Sequence, residues 1–241
     1  MSEAVLYSVS DSVATICLNR PDARNALNLA MCEGLVAAVR RAADDPAVKL
    51  VFVRGAGSVF CAGADMKERQ GMDEAQVRAR RGRGFDAYAA LEALPMPAVA
   101  VVEGPAVGSG CEIASSCDFI VATPAASFRT PEAIRGTVGA TQRLARVLGK
   151  RLAKDMMYTG RTLGADEALS HGLVSRLVAV EELASTLADI AKAITAGPQQ
   201  SLRLAKRTID RGVELDPKGA LAAEIEAIEE QLASGTWMGK S

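Results

Sequence analysis

Three short apolar runs constrain the fold of this 241-residue chain more than any other feature. They are "VKLVFVRG", "AVAVVEG" and "DFIVAT", and none alternates apolar with polar residues as a strand with one solvated face does. Strands without alternation are buried on both faces, which requires helices on both sides of a mostly parallel sheet. Nearer the N-terminus, "AVLYSV" and "VATICL" flank a polar "SDS" and predict a hairpin. We therefore predict an α/β fold for the first two thirds of the chain.

Helical patterns lie between and after these strands. In "NLAMCEGLVAAVRRAADD", Asn28 is placed to cap a helix whose apolar residues recur at helical spacing. After about residue 185, three helical segments are separated by Gly-Pro and Asp-Pro breaks, with no strand pattern. The sequence thus predicts a core with the functional site in residues 1–185 and a helical region in residues 186–241. Because that region is too small for a core of its own, we expect it to pack on the main body or on a partner chain, and the second case means an oligomer.

Charge and cysteine content exclude several classes of function. A formal net charge of -1 gives no excess of lysine and arginine, so we expect no nucleic-acid partner. No apolar run is long enough to span a bilayer and no signal-peptide pattern is present, so we expect a soluble cytoplasmic protein. The five cysteines form no CxxC pair, and we expect them to be small buried hydrophobes with no metal site.

The glycine-rich loops do not match nucleotide-binding motifs. A dinucleotide fingerprint that starts at Gly108 requires glycine or alanine at the position of Ile113, and "GRGFDA" does not follow a strand. The C-terminal "GTWMGKS" is one residue too short for a phosphate loop, and we interpret it as a tail.

Two other loops join a strand to the start of a helix. "VFCAGADMKE" and "VGSGCEIA" each place small residues at this junction, which leaves the backbone N–H groups of Ala64 and Ser109 without helical partners. Each loop alone is most simply a tight turn. Together, the two N–H groups would suit one ligand oxygen, and small residues would let that ligand approach the backbone.

Several segments resemble the enoyl-CoA hydratase/isomerase, or crotonase, family, and the resemblance covers nearly the whole chain. They are "NRPDARNALN", "FCAGADMKE", "MPAVAVVEGPAVGSGCEIASSCDFIVATPAASFRTPEAIRG" and "TQRLARVLGKRLAKDMMYTGRTLGADEALSHGLV". The resemblance implies a spiral of ββα units with a C-terminal helical trimerisation region, and a homotrimer or a dimer of trimers. It also implies an acyl-CoA thioester substrate and no separate cofactor, since coenzyme A is part of the substrate.

The resemblance also implies roles for particular residues. The two N–H groups that stabilise a thioester enolate in the family correspond to Ala64 and Ser109. The two glutamates of its hydratase branch correspond to Glu112 and Glu132. We expect Glu112 to be the base for water and Glu132 the acid at Cα, with shared roles as the alternative, because both would hydrogen-bond the same water. Positions near coenzyme A correspond to Arg24, Ala62, Asp65, Met66 and Lys67.

This assignment agrees with the chemistry of hydration. Adding water to an α,β-unsaturated thioester needs a base for water, an acid for Cα and donors for the developing oxyanion. Two close carboxyl groups resist double ionisation, so one of them can hold a proton at neutral pH. Enoyl-CoA hydration is therefore the predicted reaction.

Other functions stay open. They are isomerisation of an enoyl-CoA, dehydration of a substituted hydroxyacyl-CoA, hydrolysis of a thioester, and binding of acyl-CoA without catalysis. The sequence departs from the family pattern in Ser109, where glycine or alanine is common, and in "GTVGATQRL", which is shorter than usual and lacks a proline. It also ends before the last helix that many members have.

Three further features have simpler interpretations. We expect the arginines of "QVRARRGRGFDAY" to form a solvated helix face with at most a minor role at the substrate. We expect His171 to be a surface or capping residue and Asp118 to be a structural carboxylate in a loop.

Overall fold

The computed structural model describes residues 3–235. Residues 236–241, which hold all but the first residue of the predicted tail "GTWMGKS", lie outside the described residues. The strands are β1 (Val5–Ser10), β2 (Val13–Leu18), β3 (Leu50–Gly55), β4 (Ala98–Val102), β5 (Pro105–Val107), β6 (Phe119–Ala122), β7 (Ser127–Arg129), β8 (Thr162–Gly164) and β9 (Arg176–Leu177). The α-helices are α1 (Leu29–Asp44), α2 (Glu74–Glu92), α3 (Ser109–Ser115), α4 (Arg143–Thr159), α5 (Ala165–Ser170), α6 (Leu183–Thr195), α7 (Gln199–Gly212) and α8 (Pro217–Ser234).

The main sheet has six strands in the order β1-β2-β3-β4-β6-β9. Strands β1 and β2 pair antiparallel, and every other neighbouring pair in this sheet is parallel. The predicted hairpin and the predicted parallel sheet are therefore both confirmed. The three continuous apolar runs form β3, β4 and β6 at the centre of the sheet, because only central strands are covered on both faces.

A second sheet, in the order β5-β7-β8, lies beside the first. The chain alternates between the two sheets, running from β4 to β5 and then α3, and from β6 to β7 and then α4. This alternation produces the repeated ββα unit. Its strands in the second sheet are only three residues long.

Helices cover both faces of the main sheet. On one face α1 packs against α2, β1 and β2, and its N-cap Asn28 accepts a hydrogen bond from the Met31 N–H at 3.0 Å, as predicted. On the other face, Leu183 and Ile190 of α6 form a cluster with Leu50 and other apolar residues of β3, β4 and β6. Four of the five cysteines are buried, Cys17 is partly buried, and all are free, as expected.

The C-terminal helices differ in what they cover. Helix α6 begins at Leu183, just before the predicted start of the helical region, and packs on the sheet. Helices α7 and α8 pack on each other and expose several large apolar side chains, among them Val213 and Leu221. Within residues 3–235, no helix has the length and apolar character needed to cross a membrane.

Candidate active site

Two isolated backbone bridges tie the two glycine loops into one structure. Leu27 bridges Ala64, with the Leu27 N–H donating to the Gly63 carbonyl at 2.8 Å. Cys61 bridges Ala106, and the Val107 N–H donates to the Cys61 carbonyl at 2.8 Å. The loop that carries Ala64 is therefore fixed against the loop that leads into α3.

Gly63 allows the two loops to approach closely. It has a φ of +98°, and a Cβ built at this position would lie 3.0 Å from the Val107 carbonyl oxygen. Beside it, the N–H groups of Ala64 and Ser109 donate no hydrogen bond to any described residue. Both residues line the same cavity, so two free donors are present in one small region.

Glu112 lies one turn into α3 and is buried, with 6 % of its surface exposed. Its Oε2 accepts a hydrogen bond from Nη1 of Arg143 at 2.5 Å. The same guanidinium binds both oxygens of Glu92, at 2.6 and 2.7 Å, and lies over the ring of Tyr88 with Cζ 5.5 Å from the centroid. The negative charge of Glu112 is therefore compensated by a cation that is itself held in place on two other sides.

Glu132 has a different environment. It follows β7 at the start of a short 3-10 turn, Ala133–Arg135, and its buried Oε2 has no hydrogen-bond partner among residues 3–235. Burial is the main cause that raises the pKa of the Glu132 carboxyl. A hydrogen bond from its own backbone lowers the pKa, the negative charge of Glu112 raises it, and the charges of Arg135 and Arg81 lower it by less, so that the net pKa is raised. Glu132 is thus suited to hold a proton.

Gly108 links the elements that carry the two glutamates. Its N–H donates to the Arg129 carbonyl of β7 at 2.8 Å, and its carbonyl accepts from the Glu112 N–H at 3.0 Å. With φ +53° and ψ -108°, its backbone is accessible almost only to glycine. A Cβ at Gly108 would lie 2.3 Å from Oε1 of Glu132, so any larger residue would displace that carboxyl group.

The predicted chemical residues converge. Ala64, Ser109, Glu112 and Glu132 all line one cavity of about 140 Å³. Phe85, which is about half exposed, and the residues from Thr137 to Ala140 line other parts of the cavity.

The predicted coenzyme A positions are divided. Ala62 and Met66 line the cavity, whereas Arg24, Asp65 and Lys67 do not. Asp65 instead binds Nη1 of Arg20 at 2.9 Å and accepts from the backbone N–H groups of Lys67 and Glu68. Burial would raise the Asp65 pKa, but these hydrogen bonds outweigh it and hold the pKa below its usual value. The Arg24 carbonyl accepts from the Ala62 N–H at 3.0 Å, which joins the segment around Arg24 to the loop that carries Ala64.

The prediction of a fully solvated arginine face on α2 is wrong at two positions. Arg80 is 8 % exposed and donates to the Leu27 carbonyl and to Oε2 of Glu68. Arg81 is partly buried, donates to the Val138 carbonyl and lines the cavity, as does Arg80. Arg80 faces inward where α2 packs against α1, and a carbonyl and a carboxylate satisfy its buried charge, whereas Arg81 turns toward the segment that carries Val138.

Arg143 is the main site residue that sequence reasoning missed. Arg143 lies in the "TQRL" segment quoted above, but no residue pattern near it indicates a contact with Glu112, 31 positions away. The structural interpretation of Asp118 agrees with its contacts, since it accepts from the Ala98 N–H at 2.6 Å and pairs with Lys206. His171 is exposed and follows α5 as its C-cap.

Comparison with known proteins gives a consistent result. The family model described as enoyl-CoA hydratase/isomerase matches residues 8–236. The crotonyl-CoA hydratase of Syntrophomonas wolfei is 36% identical over 93% of this chain and 88% of its own length. The short-chain-enoyl-CoA hydratase of Clostridium acetobutylicum is 38% identical over 94% of this chain and 88% of its own length.

Solved structures confirm the fold. The enoyl-CoA hydratase of Bacillus anthracis superposes with a TM-score of 0.90 at 35% identity, covering 94% of this chain and 90% of that one. The enoyl-CoA hydratase of Mycobacterium smegmatis gives a TM-score of 0.92 at 32% identity, covering 96% and 91%. The predicted crotonase fold, with its helical C-terminal region, is therefore correct.

Proposed function

This chain belongs to the enoyl-CoA hydratase/isomerase family, and from that premise we propose that it is an enoyl-CoA hydratase. It would add water across the 2,3 double bond of a trans-2-enoyl-CoA to give a 3-hydroxyacyl-CoA. The observation that carries the proposal is the convergence of two carboxyl groups with unlike environments, Glu112 and Glu132, on a cavity with two free N–H donors.

The two environments suit opposite roles in proton transfer. Glu112, paired with Arg143, accepts a proton from water while the water oxygen bonds to Cβ. The electrons of the double bond move toward the thioester, and Glu132, whose pKa is raised, gives its proton to Cα. A proton then returns to Glu132 from Glu112 or from solvent before the next turnover.

The thioester oxygen carries the negative charge that develops in this reaction. We place it between the N–H groups of Ala64 and Ser109, which cost no reorganisation because the backbone already holds them. Ser109→Pro removes one donor, whereas Ser109→Ala keeps it. The proline variant should turn over at least about a hundredfold more slowly than the alanine variant. Equal turnover of two folded variants would contradict this placement.

Isomerisation is the second candidate, and the Arg143 contact is what favours it. If Arg143 keeps Glu112 occupied throughout the reaction, only Glu132 is free to move a proton between carbons. Measuring hydration and proton exchange at Cα in the same variants distinguishes the two functions. A hydratase loses hydration in both Glu112→Gln and Glu132→Gln, whereas an isomerase keeps Cα exchange in Glu112→Gln.

The central experiment mixes the protein with crotonyl-CoA and follows the loss of ultraviolet absorbance of the conjugated thioester. Glu112→Gln and Glu132→Gln should each reduce the hydration rate about a thousandfold. The double variant should lose much less than the product of both effects, because the two groups act as one unit. Glu33→Gln, on the exposed side of α1, is the matched control. Wild-type hydration by Glu112→Gln would show that Glu112 is structural.

We also propose a homotrimer or a dimer of trimers, formed through α7 and α8. Four apolar side chains on these helices or directly after α7 are about half exposed or more, namely Ile209, Val213, Leu221 and Ile225. So much exposed apolar surface is unusual for a monomer. Light scattering should give a mass of three or six chains, and Ile225→Asp should reduce it. A stable monomer at micromolar concentration would overturn the proposal.

A further inference from the structure

The cavity contains more positive charge than its two glutamates require. Four arginines line it, Arg69, Arg80, Arg81 and Arg135. Arg80 is neutralised by Glu68, and Glu112 has its own partner in Arg143 outside the lining. The other three arginines form no ion pair with any residue between 3 and 235. They leave a net positive region that is open to a ligand.

Two of these arginines are close to the reacting centre. Arg135 is in the turn that starts at Glu132, where its N–H donates to the Glu132 carbonyl at 3.1 Å. Arg81 donates to the carbonyl of Val138, next to Gly139, and a Cβ at Gly139 would lie 3.3 Å from Cγ of Glu132. Both positive charges also act on the Glu132 carboxyl.

Apolar side chains line the same cavity as the three arginines. Met66, Phe85 and Val138 are all more than half exposed, which leaves their apolar surface for a ligand to cover. Such a surface suits a short carbon chain that ends in an anion.

The anion can come from either end of an acyl-CoA. Coenzyme A carries phosphates, but its pantetheine arm, with two amides in series, separates them from the thioester. The acyl carbons start at the thioester and lie within a few bonds of the carbon that Glu132 would protonate. An anion held by cations that adjoin Glu132 is therefore best supplied by the acyl group.

We propose that the substrate's acyl group carries a carboxylate at its far end, and that Arg81 and Arg135, with Arg69 nearby, bind that carboxylate. The proposal rests on the proposed function for its acyl-CoA substrate, and it adds the class of acyl group. Guanidinium groups bind carboxylates through paired hydrogen bonds, which gives both affinity and selectivity.

The test compares trans-2-pentenoyl-CoA with its analogue that has a carboxylate in place of the terminal methyl group. The wild-type protein should hydrate the carboxylated substrate with a kcat/KM at least about tenfold higher. Arg81→Gln and Arg135→Gln should each reduce the ratio of the two kcat/KM values about tenfold. Arg135→Lys, which keeps the charge, should reduce the ratio less. Arg83→Gln is the control, because Arg83 is on α2, exposed and outside the cavity.

The outcomes separate this proposal from the hydratase proposal. A wild-type preference for the methyl substrate overturns it, and so does an equal loss for both substrates in the variants, which would place the arginines on coenzyme A phosphates. Binding is measured in parallel by calorimetry with pentanoyl-CoA and its carboxylated analogue, which cannot be hydrated. Tighter binding of the carboxylated ligand without hydration of any enoyl-CoA would uphold the carboxylate site and overturn only the hydratase proposal.

Discussion

The two glutamates lie on regions of the molecule that differ in construction. Glu112 is on α3, inside the hydrogen-bonded core, and its carboxylate is held by Arg143. Glu132 is in a turn after β7, followed by an irregular segment up to α4, and one of its oxygens is buried without a partner. The first region stabilises a charge, whereas the second disfavours one.

This difference in environment suits two otherwise identical carboxyl groups to opposite roles in proton transfer at the same pH. A carboxyl group paired with a cation stays ionised and is therefore available as a base, whereas a group buried with an unpaired oxygen is suited to keep a proton. Geometry alone would not distinguish Glu112 from Glu132, since both line the same cavity. The predictions below disturb first the link between the two regions and then each region separately.

Outside the two glutamates themselves, the largest effect is expected at Gly108, which touches both regions. In Gly108→Ala the new Cβ would lie 2.3 Å from Oε1 of Glu132, so the flexible carboxyl group must move away. We expect hydration to decrease at least about a hundredfold because the acid is misplaced. The positive φ should cost about 1–3 kcal/mol of unfolding free energy, measured by urea denaturation.

Gly164→Ala is the control for this change. A Cβ at Gly164 meets nothing within 4 Å, and the residue has a φ of -74° that alanine adopts readily. Its hydration rate and stability should stay near those of the wild type. If Gly108→Ala also hydrates at the wild-type rate, the position of Glu132 does not matter for catalysis.

A smaller effect is expected when the cation of the first region is removed. Arg143→Met leaves the buried carboxylate of Glu112 without its partner, which favours the neutral acid over the charged base. Hydration at pH 7 should decrease about tenfold to a hundredfold, and part of the rate should return as the pH is raised. The measurement is kcat/KM for crotonyl-CoA against pH.

Two further variants show whether charge or packing is responsible. Arg143→Lys keeps a cation near Glu112 and should lose less activity than Arg143→Met. Glu92→Gln removes the other carboxylate partner of Arg143 and leaves the contact with Glu112 possible. A pH profile of Arg143→Met that only scales down, without moving, would indicate a purely structural role for Arg143.

The sequence predicts the central fold well because burial leaves a local pattern. Strands β3, β4 and β6 read as continuous apolar runs since helices cover both of their faces. Strands β5, β7 and β8 leave no such pattern, because a three-residue strand is defined by its long-range partners and not by its own residues. The ββα repeat was therefore available only through the family resemblance.

The residues of the site also fall into two groups, those that the sequence predicts and those that it does not. Both loops and both glutamates could be predicted, because each is carried by a short motif whose order along the chain is informative. Arg143 and Arg80 could not, since their roles depend on partners that the fold brings from elsewhere: Glu112 and Glu92 for Arg143, and the Leu27 carbonyl for Arg80. A buried charge has no distinct sequence pattern, and its partners decide where it lies.

A still smaller effect is expected in the second region from Arg135, whose positive charge lowers the pKa of Glu132. Arg135→Gln removes that charge, so the pKa of Glu132 should rise. Because Glu132 must be protonated to act as an acid, the hydration rate falls as Glu132 loses its proton. The alkaline limb of the pH–rate profile should therefore move to higher pH. The shift should be less than about one pH unit, since Arg135 is exposed and water screens its charge.

Crotonyl-CoA is the substrate for this measurement, because it has no terminal carboxylate. Added salt should move the wild-type limb in the same direction, since it screens the same charge. If the alkaline limb of the pH–rate profile moves to lower pH in Arg135→Gln, the group that titrates in this limb is not Glu132.

The smallest effect concerns stability. Because burial and the charge of Glu112 raise the pKa of Glu132 in the folded protein, the folded state binds this proton more tightly than the unfolded chain does. The stabilisation from that proton is complete below the unfolded pKa and is lost as the pH rises through the raised folded pKa.

Glutamine is neutral throughout and has no such loss. The free energy of unfolding of Glu132→Gln, relative to wild type, should therefore increase as the pH rises above about 4.5 and level off above the raised folded pKa, by less than about 1 kcal/mol because the group is only partly buried. Urea denaturation at one fixed protein concentration measures this difference, and Glu33→Gln, on the exposed side of α1, should show no comparable increase with pH. A Glu132→Gln variant that loses relative stability as the pH rises would mean that Glu132 is favoured in its charged form, and the roles of the two glutamates would have to be exchanged.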